Sequence, residues 1–184
     1  MSKIKYKIKK DKNIKDFIDK PLDKNKVKFF SLFVLVPIIL TLIDQFTKIL
    51  VNNYMAVGDE IKVIPGLFNI NYVINKGAAL GIFENMTYFL VIVSVVMVCF
   101  IYFLAYNDFK NKHTILPEMI IIGGAFGNLI DRIFLEGKVR DFLEVPFFAV
   151  MNFADWFVSI GIVLLLIKYI YYYKKTEKNI NKDG

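Results

Sequence analysis

Residues 86–106 read MTYFLVIVSVVMVCFIYFLAY, without one Asp, Glu, Lys or Arg. A run of ~18 or more such residues, rising ~1.5 Å each as a helix, is long enough to cross a hydrocarbon core of ~30 Å. The stretch therefore decides the fold class: a helical membrane protein. Three further apolar blocks flank it, Phe29 to about Val51, Leu116 to about Phe134, and about Met151 to Tyr173. The expectation is an all-α membrane protein of four transmembrane helices. It divides into a basic segment 1–28, a four-span unit 29–173 and a basic tail 174–184.

Composition agrees. Of 184 residues 56% are hydrophobic and 22% charged, and the mean hydropathy is +0.47. Disordered chains have few apolar residues, so that class is excluded. One cysteine excludes a disulfide scaffold. Cys99 reads as a packing residue and His113 as a loop residue. No paired His or Cys spacing, P-loop or dinucleotide fingerprint is present, so neither a metal nor a cofactor is expected.

The net charge of +7 is uneven: residues 1–28 hold eleven lysines against four aspartates. Lys168, Lys174, Lys175, Lys178 and Lys182 make the other end basic, and Lys110 and Lys112 lie between the second and third blocks. The connections 52–85 and 135–150 carry more acidic than basic residues. The positive-inside rule then places both termini and the 107–115 connection in the cytoplasm. A lysine run can bind nucleic acid, but one abutting a membrane helix reads as a topology determinant drawn to anionic lipid. The first block is too long for a cleaved signal peptide and is expected to remain as an anchor.

Within 52–85, Phe68, Ile70, Tyr72 and Ile74 alternate with Asn69, Asn71, Val73 and Asn75, after a Pro65-Gly66 turn signal. Period 2 beside a turn predicts two or more short strands.

Polar residues inside the blocks are costly in lipid and face a bundle interior or a cavity. Asp44 and Lys48 follow Phe29 by 15 and 19 residues, which puts them roughly 22–29 Å along the first helix, on one face. Asn128 and Arg132 repeat that i, i+4 spacing near the same end of the third block, and Asn152 and Asp155 open the fourth. Asp141 precedes the fourth block and can fold back onto this level. Gly123 and Gly127 form a close-packing G-x-x-x-G. Glu118 is expected to be interfacial, and Asp131 to point off the face of Arg132 as a secondary residue. Helix-to-helix fastening is one reading of such a set. Chemistry is the other: two close carboxylates share one proton, so one takes a proton from water while the other donates to a carbonyl.

Five motifs carry a resemblance. They are Asp44-Gln45-Phe46-Thr47-Lys48, Asn75-Lys76-Gly77-Ala78-Ala79-Leu80-Gly81, Gly123-Gly124-Ala125-Phe126-Gly127-Asn128-Leu129-Ile130-Asp131-Arg132, Val139-Arg140-Asp141-Phe142 and Asn152-Phe153-Ala154-Asp155. From about Phe29 to Tyr173 the chain resembles the lipoprotein signal peptidases, signal peptidase II. The resemblance implies a membrane aspartyl endopeptidase with Asp141 and Asp155 as the catalytic pair, and Asp44, Lys48, Asn75, Gly77, Asn128, Arg132 and Asn152 around them. It implies prolipoprotein substrates whose lipobox cysteine carries a diacylglyceryl group, cleaved just before that cysteine. It further implies a bacterial cytoplasmic-membrane location with the site near the extracytoplasmic face, a small outer β-sheet (cradle) and a short extracytoplasmic helix in 135–150. The lysine-rich stretch 1–28 is longer than the family usually carries, and the resemblance leaves the oligomeric state open. A small transporter or proton-conducting protein would also bury Asp, Lys and Arg, but calls for a polar path to both faces. A non-catalytic scaffold would make Asp141 and Asp155 individually replaceable.

Overall fold

The computed structural model describes residues 24–77, 86–111, 113–146 and 148–183. Most of the expected basic segment 1–28, and Ala78 to Gly81 of the second motif, lie outside them. The order is α1 (Lys24–Tyr54), β1 (Glu60–Ile64), β2 (Phe68–Asn75), α2 (Thr87–Lys110), α3 (Leu116–Phe134), β3 (Val139–Glu144) and α4 (Phe153–Asp183). Helices α1, α2 and α4 are long and apolar enough to cross a membrane, over Val27–Tyr54, Tyr88–Lys110 and Phe153–Asn179. They expose large apolar side chains such as Phe30, Phe46, Ile92, Phe103, Val163 and Leu166, as lipid contact requires.

The fourth expected span is a helix of a different kind. Helix α3 has 19 residues and carries Glu118, Asp131 and Arg132. Its partners supply the apolar surroundings that its own sequence dilutes: α1, α2 and α4 all pack on it. The expected G-x-x-x-G explains how closely. A Cβ added at Gly123 would lie 2.8 Å from Leu40 Cβ, and one at Gly127 would lie 2.5 Å from an Asp44 carboxylate oxygen. Gly124 meets α4 in the same way, 2.4 Å from the Ala154 carbonyl oxygen. Small residues here let three backbones approach one another.

The period-2 stretch is a sheet, as expected, with antiparallel order β1-β2-β3. Leu67 N–H donates to Ile64 C=O over 3.0 Å, and Gly66 sits at φ 77°, the positive φ that a Pro-Gly turn needs at its third residue. One implied element is corrected. Among its described residues, segment 135–150 forms no helix; its middle is β3, paired with β2 through Val73↔Asp141 and Asn75↔Val139. Val139, Asp141, Phe142 and Leu143 are buried and Arg140 and Glu144 are half-buried, so the strand is covered on both faces at its centre. Connectivity puts this sheet at the end of the bundle where α1 and α3 finish and α2 and α4 begin.

A second departure lies at the opposite end. Lys168 of α4 inserts between Asp108 of α2 and Glu118 of α3, pairs with both, and donates to Thr114 C=O over 3.0 Å. Glu118 is fully buried, not interfacial. Ionisable groups are therefore buried at two levels rather than the expected one. Between the levels lies an apolar layer including Ile101, Ala105, Met119 and Ile122.

Candidate active site

At the sheet end the termini of α1, α3 and α4 each supply one part of a connected polar framework. Helix α4 begins with Asn152 as its cap: Asn152 Oδ1 accepts the Asp155 N–H at 3.0 Å, and Asp155 Oδ2 accepts the Asn152 N–H at 3.1 Å. This reciprocal arrangement is a capping box with Asp in the acidic position. It fixes Asp155 in the first turn, beside the positive end of the helix dipole. From α1, Asp44 Oδ1 accepts the Ala154 N–H at 2.8 Å, satisfying another free donor of that turn.

Lys48 neutralises this level. Its Nζ lies 2.8 Å from Asp44 Oδ2 and donates to Asn128 Oδ1 over 2.9 Å. Both Asp44 and Lys48 are fully buried; an i, i+4 pair on a lipid-exposed face would not be. With its oxygen held by Lys48, Asn128 turns its Nδ2 to Asp155 Oδ1 at 2.7 Å. Asn152 Nδ2 likewise reaches Asn128 Oδ1 at 2.9 Å and Asp141 Oδ1 at 2.6 Å.

Strand β3 brings Asp141 to this point. Its second oxygen accepts from Asn75 Nδ2 of β2 at 2.9 Å. Gly77 N–H donates to Asn75 Oδ1 over 3.0 Å, so the amide presents its donor end to Asp141. Asp141 is 3% exposed. Burial, and then the charge of Asp155, push its carboxyl up to about 7. Both carboxylates line the same cavity and are joined through Asn152 and Asn128.

The sequence-predicted residues thus come together: Asp44, Lys48, Asn75, Gly77, Asn128 and Asn152 all bond within one network around Asp141 and Asp155. Arg132 lines the same cavity, with its Nε buried and, among the described residues, without a hydrogen-bond partner. Asp131 lies off the cavity that Arg132 lines, the direction expected of it. It is fully buried and receives Arg140 Nη2 at 2.6 Å and Gln45 Nε2 at 3.0 Å. Consecutive helical residues differ by about 100° in direction, which moves Asp131 off the cavity but onto α1 and β3. Gln45 and Arg140 were missed as site neighbours; they meet across 95 positions, which leaves no local period to read.

The cavity has a volume of about 590 Å³. Asn75, Asn128, Arg132, Asp141 and Asp155 form its polar end, and Val93, Met97, Val98, Ile101, Ile122 and Val158 its apolar depth. Fold and site together define a helical membrane protein with two carboxylates at the polar end of a cavity between its helices.

The profile described as Signal peptidase (SPase) II matches residues 36–171. A lipoprotein signal peptidase of Fusobacterium nucleatum subsp. nucleatum is 35% identical over 148 residues, covering 78% of this chain and 89% of its own. One from Staphylococcus aureus is 33% identical over 164 residues, covering 86% and 98%. A solved bacterial membrane enzyme superposes with a TM-score of 0.68 at 29% identity, covering 76% of this chain and 87% of its own. The chain belongs to the signal peptidase II family, and the transporter reading is not favoured.

Proposed function

We propose that this membrane signal peptidase is an aspartyl endopeptidase that removes signal peptides from diacylglyceryl-modified prolipoproteins, cleaving just before the lipidated cysteine. The observation that carries this reading is the cavity with Asp141 and Asp155 at its polar end and an apolar depth between helices. A substrate bearing acyl chains and a scissile amide has those two chemistries at that separation.

Asp155 accepts from Asn128 and from the Asn152 main-chain N–H at the start of α4. Asp141 takes the shared proton. Asp155 then draws a proton from water as the oxygen attacks the carbonyl, and Asp141 donates to the carbonyl oxygen. The resulting diol collapses as Asp155 passes its proton to the leaving amine and a diol hydroxyl returns one to Asp141, so the pair again holds one proton. Lys48 and Asp44 hold Asn128 and the α4 terminus in register. Arg132, with no partner for its Nε among the described residues, supplies a donor to the substrate.

In this reading α3 is the fourth span, both termini are cytoplasmic and the sheet end faces outward. Purified protein incubated with diacylglyceryl-modified prolipoprotein is expected to give the mass loss of the signal peptide, and unmodified precursor to remain intact. Equal cleavage of both would remove the lipid from the recognition argument. Labelling of Lys138→Cys in a Cys99→Ser background tests orientation; reaction with an impermeant reagent only after membrane opening would reverse it.

A further inference from the structure

We infer that Asp131 and Arg140, bridged by Gln45, are positioning residues that set the place of Asp141 relative to Asp155. Arg140 is the chain neighbour of Asp141, and its peptide is held on both sides. Its main-chain N–H donates to Asp131 Oδ2 at 2.9 Å, and its C=O, in the peptide bond that leads into Asp141, accepts from Asn152 Nδ2 at 3.3 Å. Its guanidinium closes on the same carboxylate, Nε to Oδ2 at 3.1 Å and Nη2 to Oδ1 at 2.6 Å.

A side-chain ion pair alone would hold a side chain. Here Asp131 grips the backbone of the strand as well, which converts the pair into a fixed attachment of β3 to α3. Gln45 extends the attachment to α1, accepting from Arg140 Nη2 at 3.1 Å and donating to Gly127 C=O at 2.9 Å. The strand bearing one acid is thereby tied to the helices that carry Lys48 and Asn128, and through Asn128 to the other acid. Arg suits this post because its planar fork spans two carboxylate oxygens, which Lys cannot do. A displacement of ~1 Å at a reacting group can cost ~10²-fold in rate.

The inference rests on Asp141 being catalytic, so Asp141→Asn is assayed beside the variants. The informative variant is Asp131→Asn/Arg140→Met, which removes both charges and leaves no unpaired one from the pair. Expected is a fall in kcat per folded molecule of about 10- to 100-fold, with KM for the modified prolipoprotein close to wild type. The limb of the pH profile set by the acids moves to lower pH, because an Asp141 drawn away from Asp155 loses part of what raises it. Arg140→Lys recovers part of the rate. Wild-type kcat in the folded double variant, or a loss confined to the folded fraction, overturns the inference while leaving the aspartyl mechanism intact. Full activity of Asp141→Asn overturns the mechanism instead. Should the double variant fail to insert, Gln45→Met decides: a loss in kcat at unchanged KM is expected, and no loss sinks the inference.

Discussion

The bundle buries two ionisable clusters, one at each end, and they are built on opposite principles. At the end away from the sheet a single cation, Lys168, pairs with Asp108 and Glu118 and takes a carbonyl as a third partner. Its charges converge on one point, and none of the three lines the cavity. At the sheet end Lys48 and Arg140 are drawn off to Asp44 and Asp131 and Arg132 lines the cavity, while Asp141 and Asp155 are held by the neutral amides of Asn75, Asn128 and Asn152. Amides fix a carboxylate without neutralising it. The first cluster joins helices through a shared cation; the second holds two acids at a cavity mainly through neutral amides.

The sharpest way to break that contrast is to neutralise an acid. Asp141→Asn or Asp155→Asn is expected to lower cleavage by about 10²–10⁴-fold, the usual worth of general acid–base assistance. The double variant should be scarcely worse than either single, because the two act as a unit. The stability of Asp141→Asn should move the other way. Its carboxyl is raised from 3.8 to about 7 in the folded protein, so the folded state binds more protons than the unfolded one between those values. Stability contributed by this group is full below the unfolded pKa and falls as pH rises through that window. Asp141→Asn should therefore unfold at a higher temperature than wild type at pH 8, with the difference fading toward pH 4. Equal melting at both values would show that the acid carries no such cost.

Lys168→Met attacks the other end. It leaves Asp108 and Glu118 buried without their cation, and breaking a buried pair costs about 3–5 kcal/mol. Thermal unfolding of the purified protein should fall steeply, while kcat per folded molecule stays at wild type. A selective loss of turnover would mean that the two clusters are coupled through the apolar layer between them.

These two ends were unequally legible in the sequence. Helices α1, α2 and α4 announce themselves by length and apolarity, and β1 and β2 by the alternation around Pro65-Gly66. The sheet-end residues at i, i+4 and i, i+3 could be placed by depth because each pair lies on one helix. Lys168 with Glu118 could not, because its members are 50 positions apart and each looks like an ordinary interfacial charge. The same holds for Gln45 with Arg140, 95 positions apart. Strand β3 was obscured because VRDFLE alternates a buried carboxylate with apolar residues, so its pattern does not read as one apolar face. Asp131 was set aside on direction, which was right for the cavity and wrong for the element beyond it.

Gly124→Ala probes the backbone between the ends. The new Cβ would meet the Ala154 carbonyl oxygen at 2.4 Å and the Val158 N at 3.0 Å, so α4 must move rather than a side-chain tip. Overpacking of this kind costs about 1–3 kcal/mol. Because Ala154 precedes Asp155, turnover should drop along with melting temperature. Gly161→Ala, crowded by Ile121 Cγ1 at 2.5 Å further along α4, should lower melting temperature with less effect on turnover. Equal effects on turnover would show that α4 shifts as one rigid rod.

The smallest effect is expected at His113. Its Nδ1 lies 3.3 Å from Asp108 Oδ1, but its side chain is 28% exposed, and Asp108 already has Lys168 as its partner. Partly exposed pairs are worth about 0–1 kcal/mol. Stacking on Tyr172, with ring centroids 3.7 Å apart, is the larger share of what holds the ring. His113→Phe keeps an aromatic on Tyr172 and removes the polar contact, whereas His113→Ala removes both. If Lys168 alone neutralises this end, His113→Phe should melt within a degree or two of wild type and His113→Ala somewhat lower, with turnover unchanged in both. A drop for His113→Phe as large as that for Lys168→Met would show that the histidine shares the burden of the buried charge, and the single-cation account of this cluster would have to be abandoned.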